Sequence, residues 1–240
     1  MASQKKKQIR LPALLDRDSS LVAFNERVLS WAFRIDVPLL ERLRFLCIVS
    51  SNLDEFFEVR MAPHLSDYLG ESKSKPGEVF NYESITKSIQ NLVTAQYSLF
   101  NDELIPKLKK QNIHIIGHSQ RTASQRKWIA NYFHKEVQPL IIPISLDPSH
   151  PFPQVASKTL NFVVRLTGAD AFGRSNEIAI VKVPRSVPRF IPIPGIKGRK
   201  ALNFVSISSL IRSHLADLFP GRTVTEFSQF RVTRHSDVAV

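Results

Sequence analysis

The sequence predicts an α+β protein in which an all-helical N-terminal domain, residues 1–112, precedes a mixed α/β head domain, residues 113–240. Three observations support this prediction. Apolar residues recur at helical spacing as far as Leu108, a short β-branched segment follows at residues 113–116, and alternating or continuous apolar segments are frequent in the rest of the chain. The domain boundary is placed at residue 112, where the periodicity changes.

The first predicted helix covers residues 21–33, where an apolar residue recurs every three or four positions. Ser19 or Ser20 is its expected N-terminal cap. A second helix is expected to begin at Pro38, since proline is favoured in a first helical turn.

A polar segment at residues 50–52 follows this second helix. Its last residue, Asn52, precedes Glu55 by three positions, which is the spacing of a helix capping box. We therefore expect a hinge at residues 50–52 and a new helix that begins at Leu53 and reaches about residue 70.

Residues 71–78 contain Ser, Lys, Pro and Gly and are expected to form a mobile surface loop. The next predicted element is one long helix over residues 85–108, because its apolar residues keep to a single broad stripe.

The head domain alternates between the two kinds of pattern. Strands are predicted at residues 113–116, 161–166, 177–183 and 223–234, and an amphipathic helix is predicted at residues 206–219. Thr122 and Gln125 have capping-box spacing, so another helix should begin there. The segment that follows the strand predicted at residues 177–183 contains four prolines, which argue against a central strand there. They are Pro184, Pro188, Pro192 and Pro194.

Composition restricts the class of partner and the compartment. The chain has 240 residues, 33 Lys and Arg against 21 Asp and Glu, a net charge of +12 and a pI near 10.0, which favours polyanions such as nucleic acid, anionic lipid, nucleotides or polyphosphate. Cys47, the single cysteine, excludes disulfide stabilisation and is expected to be buried. Without a secretory signal or a long apolar run, the protein is expected in the cytoplasm, and any membrane association would be peripheral.

The polar segment around Asn52 is the candidate ligand site. Arg42 and Arg44 precede it and Arg60 follows it, so a carboxamide is expected where cations and helix amides converge, a surface suited to an anionic ligand. Two simpler interpretations stay open at this point. Asn52 is also a good helix cap, and the arginines have acidic neighbours with which they can form ion pairs.

Other motifs give weaker signals. The basic Gly-x-x-Gly segment at residues 195–200 resembles the loop with which KH domains clamp nucleic acid, but its flanking prolines favour an exposed turn. His114 and His118 are four residues apart, yet no third ligand follows at metal-site spacing. No metal site is predicted from the sequence.

From about residue 21 to the last residue, the chain carries a set of motifs in this order: FNERVL at 24–29, PLLERL at 38–43, SSNLDEF at 50–56, DPSHPFP at 147–153, VKVPR at 181–185, VPRF at 187–190, DLFPG at 217–221 and FRVTR at 230–234. The ordered set resembles the N-terminal and head domains of the long bacterial-type polyphosphate kinases.

The resemblance implies that Asn52 contacts the base of ATP and that Arg42, Arg44 or Arg60 supports phosphates. It also implies ATP, ADP and polyphosphate as ligands, Mg²⁺ bound with ATP as the substrate, and dimer contacts through the head domain. In this family the phosphorylated histidine and the metal contacts lie in C-terminal domains beyond residue 240. We therefore expect no catalytic residue in this chain and no activity from it alone.

Two other functions remain as alternatives to a contribution to the ATP pocket. A non-catalytic basic module that binds RNA or polyphosphate would account for the charge. A dimerisation or scaffold unit would need no anion affinity.

Overall fold

The computed structural model describes residues 16–71, 81–147, 149, 151–169, 173, 177–194 and 201–236. The chain divides into two compact units, Met1–Phe100 and Asn101–Val240. Among the described residues, the first unit is helical and the second contains both strands and helices, so the predicted α+β class is confirmed. The predicted domain boundary at residue 112 stays a prediction.

Four helices form the described part of the first unit. Their bounds are α1, Arg17–Phe33; α2, Leu39–Val59; α3, Met61–Tyr68; and α4, Tyr82–Ser98. The buried residues of α2 recur three or four positions apart and therefore form one continuous face of the helix. They are Arg42, Leu46, Val49, Leu53 and Phe56.

The predicted hinge at residues 50–52 is wrong. Helix α2 continues through these residues without a break, so Asn52 lies inside a helix and caps nothing. Serine and asparagine cost a helix interior only about 0.5 kcal/mol each relative to alanine, and the buried stripe of α2 outweighs that cost. The free helix amides that the hinge would have offered to an anion are therefore absent from residues 50–54.

Two smaller predictions in this unit are also wrong. Asp16, and not Ser19 or Ser20, caps α1, and its side chain accepts a hydrogen bond from the Ser19 amide at 2.8 Å. Cys47 is exposed, because it lies one residue past the buried Leu46 and so about 100° around the helix from the buried face.

A buried carboxylate joins the start of α1 to α3 and α4. Asp18 is 6% exposed, and its Oδ2 lies 3.0 Å from Nε2 of His64, which is 1% exposed. The backbone amide of Asn81, the cap of α4, donates to Nδ1 of the same ring, so Nε2 carries the proton that faces Asp18. Burial raises the pKa of Asp18, but the hydrogen bonds from Arg17 and His64 outweigh it and hold the pKa below its usual value.

Asp18→Asn is expected to lower the free energy of unfolding by about 1–3 kcal/mol at neutral pH, because a buried hydrogen-bonded charge is lost. The folded-state pKa of Asp18 is lowered, so its contribution is present above the unfolded pKa of about 3.9 and is lost as pH falls through the folded value. The difference between wild type and variant in urea unfolding should therefore shrink in acid.

The control is Asp36→Asn, which removes another carboxylate of lowered pKa, paired with Arg34 but exposed to solvent. Surface pairs contribute little, so this variant should unfold like wild type. Equal losses for the two variants would contradict a role for burial.

The long predicted helix is confirmed. Helical backbone runs from Tyr82 to Lys110 through α4, a π-helical segment at Leu99–Leu104, and α5, Ile105–Lys110. The limit between the compact units, at Phe100 and Asn101, falls within this run. The mobile loop predicted at residues 71–78 falls, apart from Glu71, outside the described residues.

Two sheets occur in the described part of the second unit. One has the strand order β1-β6-β5, with β1, Ile113–Ile115, parallel to β6, Leu202–Ser206, and β5, Phe190–Ile193, antiparallel to β6. The other has the order β2-β4-β3-β7, all antiparallel. Its strands are β2, Ile144–Ser145; β3, Leu160–Thr167; β4, Ile178–Lys182; and β7, Thr223–Arg231.

Helices of this unit pack against the three-stranded sheet, and both sheets contribute to one hydrophobic core. Helix α6, Ala123–Tyr132, begins at the predicted capping box and passes into a π-helical segment, Phe133–Val137. Helix α7 is Ile207–Arg212, followed by a 3₁₀ turn at Ala216–Leu218. The largest fully buried side chains of this core include Phe133, Phe162 and Ile129.

Four sequence predictions in this unit are confirmed: the strands β1, β3, β4 and β7. The helix predicted at residues 206–219 is too long, since the amides of Ser213 and His214 bond carbonyls three residues back and close the α-helix. Strands β2, β5 and β6 were not predicted. β5 contains Pro192, which fits its place at the edge of its sheet.

Candidate functional site

Asn52 pairs with a second carboxamide on the neighbouring helix. Its Nδ2 donates to Oδ1 of Asn25 on α1 at 2.8 Å, and Asn25 is 4% exposed. The contact joins residues 27 positions apart, and α1 and α2 pack side by side around it. This hydrogen bond uses one donor of Asn52. A carboxamide has a second N–H and an oxygen with which to contact a ligand.

The two carboxamides lie at a cavity of about 240 Å³ in the first unit. Its walls combine apolar and polar side chains, namely Leu21, Phe24, Asn25, Asn52, Glu55, Phe56, Val59 and Arg60. Pockets for drug-sized molecules span about 300–1,000 Å³. A cavity of this size suits a single flat ring system better than an entire nucleotide.

Two wall residues have chemistry that bears on the choice of ligand. Phe24 is 49% exposed, so part of its ring is available to stack on a planar group. Glu55 is an exposed carboxylate at the same cavity. It is a hydrogen-bond acceptor that attracts amino groups and repels phosphates. Its predicted role in a capping box is wrong, because α2 does not begin here.

The three predicted arginines occupy different environments. Arg60 lines the cavity at the C-terminal end of α2. Arg44 is exposed and lies 3.6 Å from Glu41. Arg42 is 2% exposed, and its Nε donates to the carbonyl of Ala32 at 2.6 Å, so its guanidinium ties α2 to the end of α1. Among the three, Arg60 is therefore the one that the structure brings together with Asn52.

Sequence reasoning did not name Phe24, Asn25 or Glu55 as site residues. Phe24 and Asn25 belong to the FNERVL motif quoted above, which was the available signal. Spacing could not link Asn25 to Asn52, because only the packing of α1 on α2 joins them. The basic Gly-x-x-Gly segment at residues 195–200 lies outside the described residues.

The two halves of the chain match two domains of one family. Residues 14–116 match the polyphosphate kinase N-terminal domain, and residues 124–240 match the polyphosphate kinase middle domain. The chain belongs to the polyphosphate kinase family. The resemblance inferred from the motifs is thereby confirmed.

Individual polyphosphate kinases agree with this assignment. That of Neisseria meningitidis serogroup A is 48% identical over 234 residues, which are 95% of this chain and 34% of that protein. That of Xylella fastidiosa is 43% identical and covers 100% of this chain and 35% of its own length. The crystal structure of polyphosphate kinase from Porphyromonas gingivalis superposes with a TM-score of 0.77 at 28% identity, over 94% of this chain and 34% of that one.

The chain therefore spans about a third of the length of the polyphosphate kinases that it matches. Within the described residues, no helix has both the length and the hydropathy needed to cross a bilayer.

Proposed function

We propose that this chain forms part of the ATP site of a polyphosphate kinase, in which ATP and a polyphosphate of n units give ADP and a polyphosphate of n + 1 units. The cavity at Asn52 receives the adenine base. The observation that carries this proposal is the pairing of Asn25 with Asn52 at the wall of a cavity of about 240 Å³. Asn25 fixes one N–H of Asn52 and thereby orients the rest of the carboxamide towards a purine edge.

Glu55 favours a base over phosphate as the occupant. Its carboxylate accepts a hydrogen bond from an exocyclic amine but repels a phosphate or polyphosphate chain at the same cavity. Phe24 adds a ring face on which a base stacks, an interaction that contributes about 1–3 kcal/mol per base in nucleic-acid complexes. Arg60 also lines the cavity. Among the three predicted arginines, it is the one placed to bind ATP phosphates that extend out of the cavity.

In this proposal the chemical step takes place on parts of the enzyme beyond this chain. The terminal phosphoryl group passes from ATP to a histidine nitrogen, ADP leaves, and the terminal oxygen of polyphosphate then takes the phosphoryl group. Mg²⁺ accompanies ATP as part of the substrate. Residues 1–240 bind and orient the base, and the chain by itself is proposed to have no kinase activity.

Contacts between copies through the head domain belong to the same proposal. This part of the proposal rests on the family assignment, since single exposed apolar side chains such as Ile142 are ordinary on a protein surface.

A second candidate function is polyanion binding without nucleotide selectivity, which the net charge of +12 favours. The two functions can be distinguished by measuring the affinity of a polyphosphate kinase that contains this segment for ATP, CTP and polyphosphate. Each affinity is measured at low and at high salt. Base recognition predicts tighter binding of ATP than of CTP at both salt concentrations. Equal affinities for the two nucleotides, both falling steeply with salt, would favour the polyanion module and contradict the adenine pocket.

A further inference from the structure

Two histidines and a carboxylate meet in the second unit. They are His134 in the π-helical segment that follows α6, His214 after α7, and Asp217 in the 3₁₀ turn. The ligand atoms of all three lie within 4.8 Å of one another. Asp217 Oδ2 is 2.9 Å from Nδ1 of His214 and 3.8 Å from Nε2 of His134.

A glutamine sets which nitrogen of His134 faces the carboxylate. Oε1 of Gln138 lies 2.8 Å from Nδ1 of His134, while Nε2 of Gln138 donates to the Asp217 carbonyl at 3.4 Å. Because this second bond fixes the amide orientation, Nδ1 of His134 must donate to the glutamine oxygen. In the neutral ring, the Nε2 lone pair then points at Asp217 Oδ2, and two acceptors face each other at 3.8 Å.

The ring of His214 is held in place by the core. It stacks on Phe133 with centroids 4.7 Å apart and an interplanar angle of 15°, and Phe133 is fully buried at 0% exposure. The side chains of His134 and Asp217 are 49% and 42% exposed, so one side of the group is open to water. One ligand is thus rigid, and the other two can adjust.

We propose that His134, His214 and Asp217 bind a divalent transition-metal ion, with Zn²⁺ the best-suited common ion. Two imidazoles and one carboxylate are a zinc ligand set, and water would complete the tetrahedron on the open side. Ligand atoms about 2.1 Å from a tetrahedral ion lie roughly 3.4 Å apart, between the two measured separations of 2.9 and 3.8 Å. Gln138 acts as the outer hydrogen-bond partner that orients a histidine ligand.

The site would discriminate between metals by ligand type. Mg²⁺ prefers oxygen ligands and keeps its waters, so a site with two imidazoles disfavours it. The net charge of +12 does not attract cations, which leaves coordination as the source of affinity. Sequence spacing could not reveal the site, because His134 and His214 are far apart in the chain and only the fold joins them.

Calorimetric titration of the purified chain with Zn²⁺ tests this proposal. One ion per chain should bind, Mg²⁺ at the same concentration should give no heat, and Zn²⁺ should raise the melting temperature. His134→Gln and Asp217→Asn should each weaken Zn²⁺ binding about tenfold or more, since outer-shell changes alone cost 10–100-fold.

His114→Gln, a histidine on β1 outside the group, is the matched control and should bind Zn²⁺ as wild type does. Circular dichroism on the same samples checks that each variant is folded. Absence of stoichiometric binding to the unsubstituted chain would overturn the proposal whatever the variants do. Equal affinity in wild type and in folded His134→Gln would overturn it as well.

Discussion

Asn52→Asp, made in a polyphosphate kinase that contains this segment, is expected to raise the KM for ATP roughly five- to thirty-fold, the equivalent of about 1–2 kcal/mol. The change removes an amide donor and places a second carboxylate next to Glu55 at the cavity. The fold should tolerate it, because Asn25 can turn its amide and donate to the new carboxylate in place of accepting.

The matched control is Asn91→Asp, which makes the same chemical change on the exposed face of α4. This variant should keep the wild-type KM. Thermal unfolding of both variants and the wild type, on the samples used for kinetics, separates recognition from stability. If Asn52→Asp and Asn91→Asp have the same KM for ATP, Asn52 does not contact the base.

Phe162→Ala is expected to lower the free energy of unfolding by about 3–5 kcal/mol, the usual cost of a large cavity in a core. Phe162 is 0% exposed on β3, which lies between β4 and β7 in its sheet. Its ring also meets Phe227 of β7 edge-on, with centroids 6.5 Å apart. Urea unfolding followed by circular dichroism measures the loss.

Phe190→Ala provides the comparison for this measurement. Phe190 is 49% exposed on the edge strand β5, so the same truncation should cost only about 1 kcal/mol, roughly half of what full burial of a phenylalanine contributes. Similar losses for the two variants would mean that the burial of Phe162 does not determine the stability of this unit.

Periodicity predicted the long elements of this fold correctly. The stripe of the run from Tyr82 to Lys110 and the alternation of β3 repeat often enough to identify helix and strand. Helix α1 was also predicted as a helix, but the predicted stripe of Leu21, Phe24, Val28 and Trp31 is not its buried face, which is formed by Val22, Asn25, Leu29 and Ala32. The sequence prediction failed at residues 50–55, where a local capping signal opposed the longer helical pattern. Asn52 and Glu55 have the spacing of a cap, but the buried face of α2 continues past them, and packing over the whole helix outweighs one capping box.

Short elements were predicted less well. β2 has two residues and β5 includes a proline, so neither shows a pattern long enough to identify a strand. The candidate site was predicted in part: the motif identified Asn52, while Asn25 could be assigned only from the packing of α1 on α2. Arg42 was expected to contact a ligand because of its charge. In the structure its guanidinium is buried and donates a hydrogen bond to the backbone carbonyl of Ala32.

The exposure of Cys47 offers a practical route to observing the cavity. It is the single thiol in the chain, so a maleimide fluorophore would label one site without prior mutagenesis. On an α-helix, five residues correspond to about 7.5 Å along the axis and about 140° around it, so a dye at Cys47 would lie close to Asn52 but on another side of α2. Its emission should report occupancy of the cavity while leaving the entrance clear.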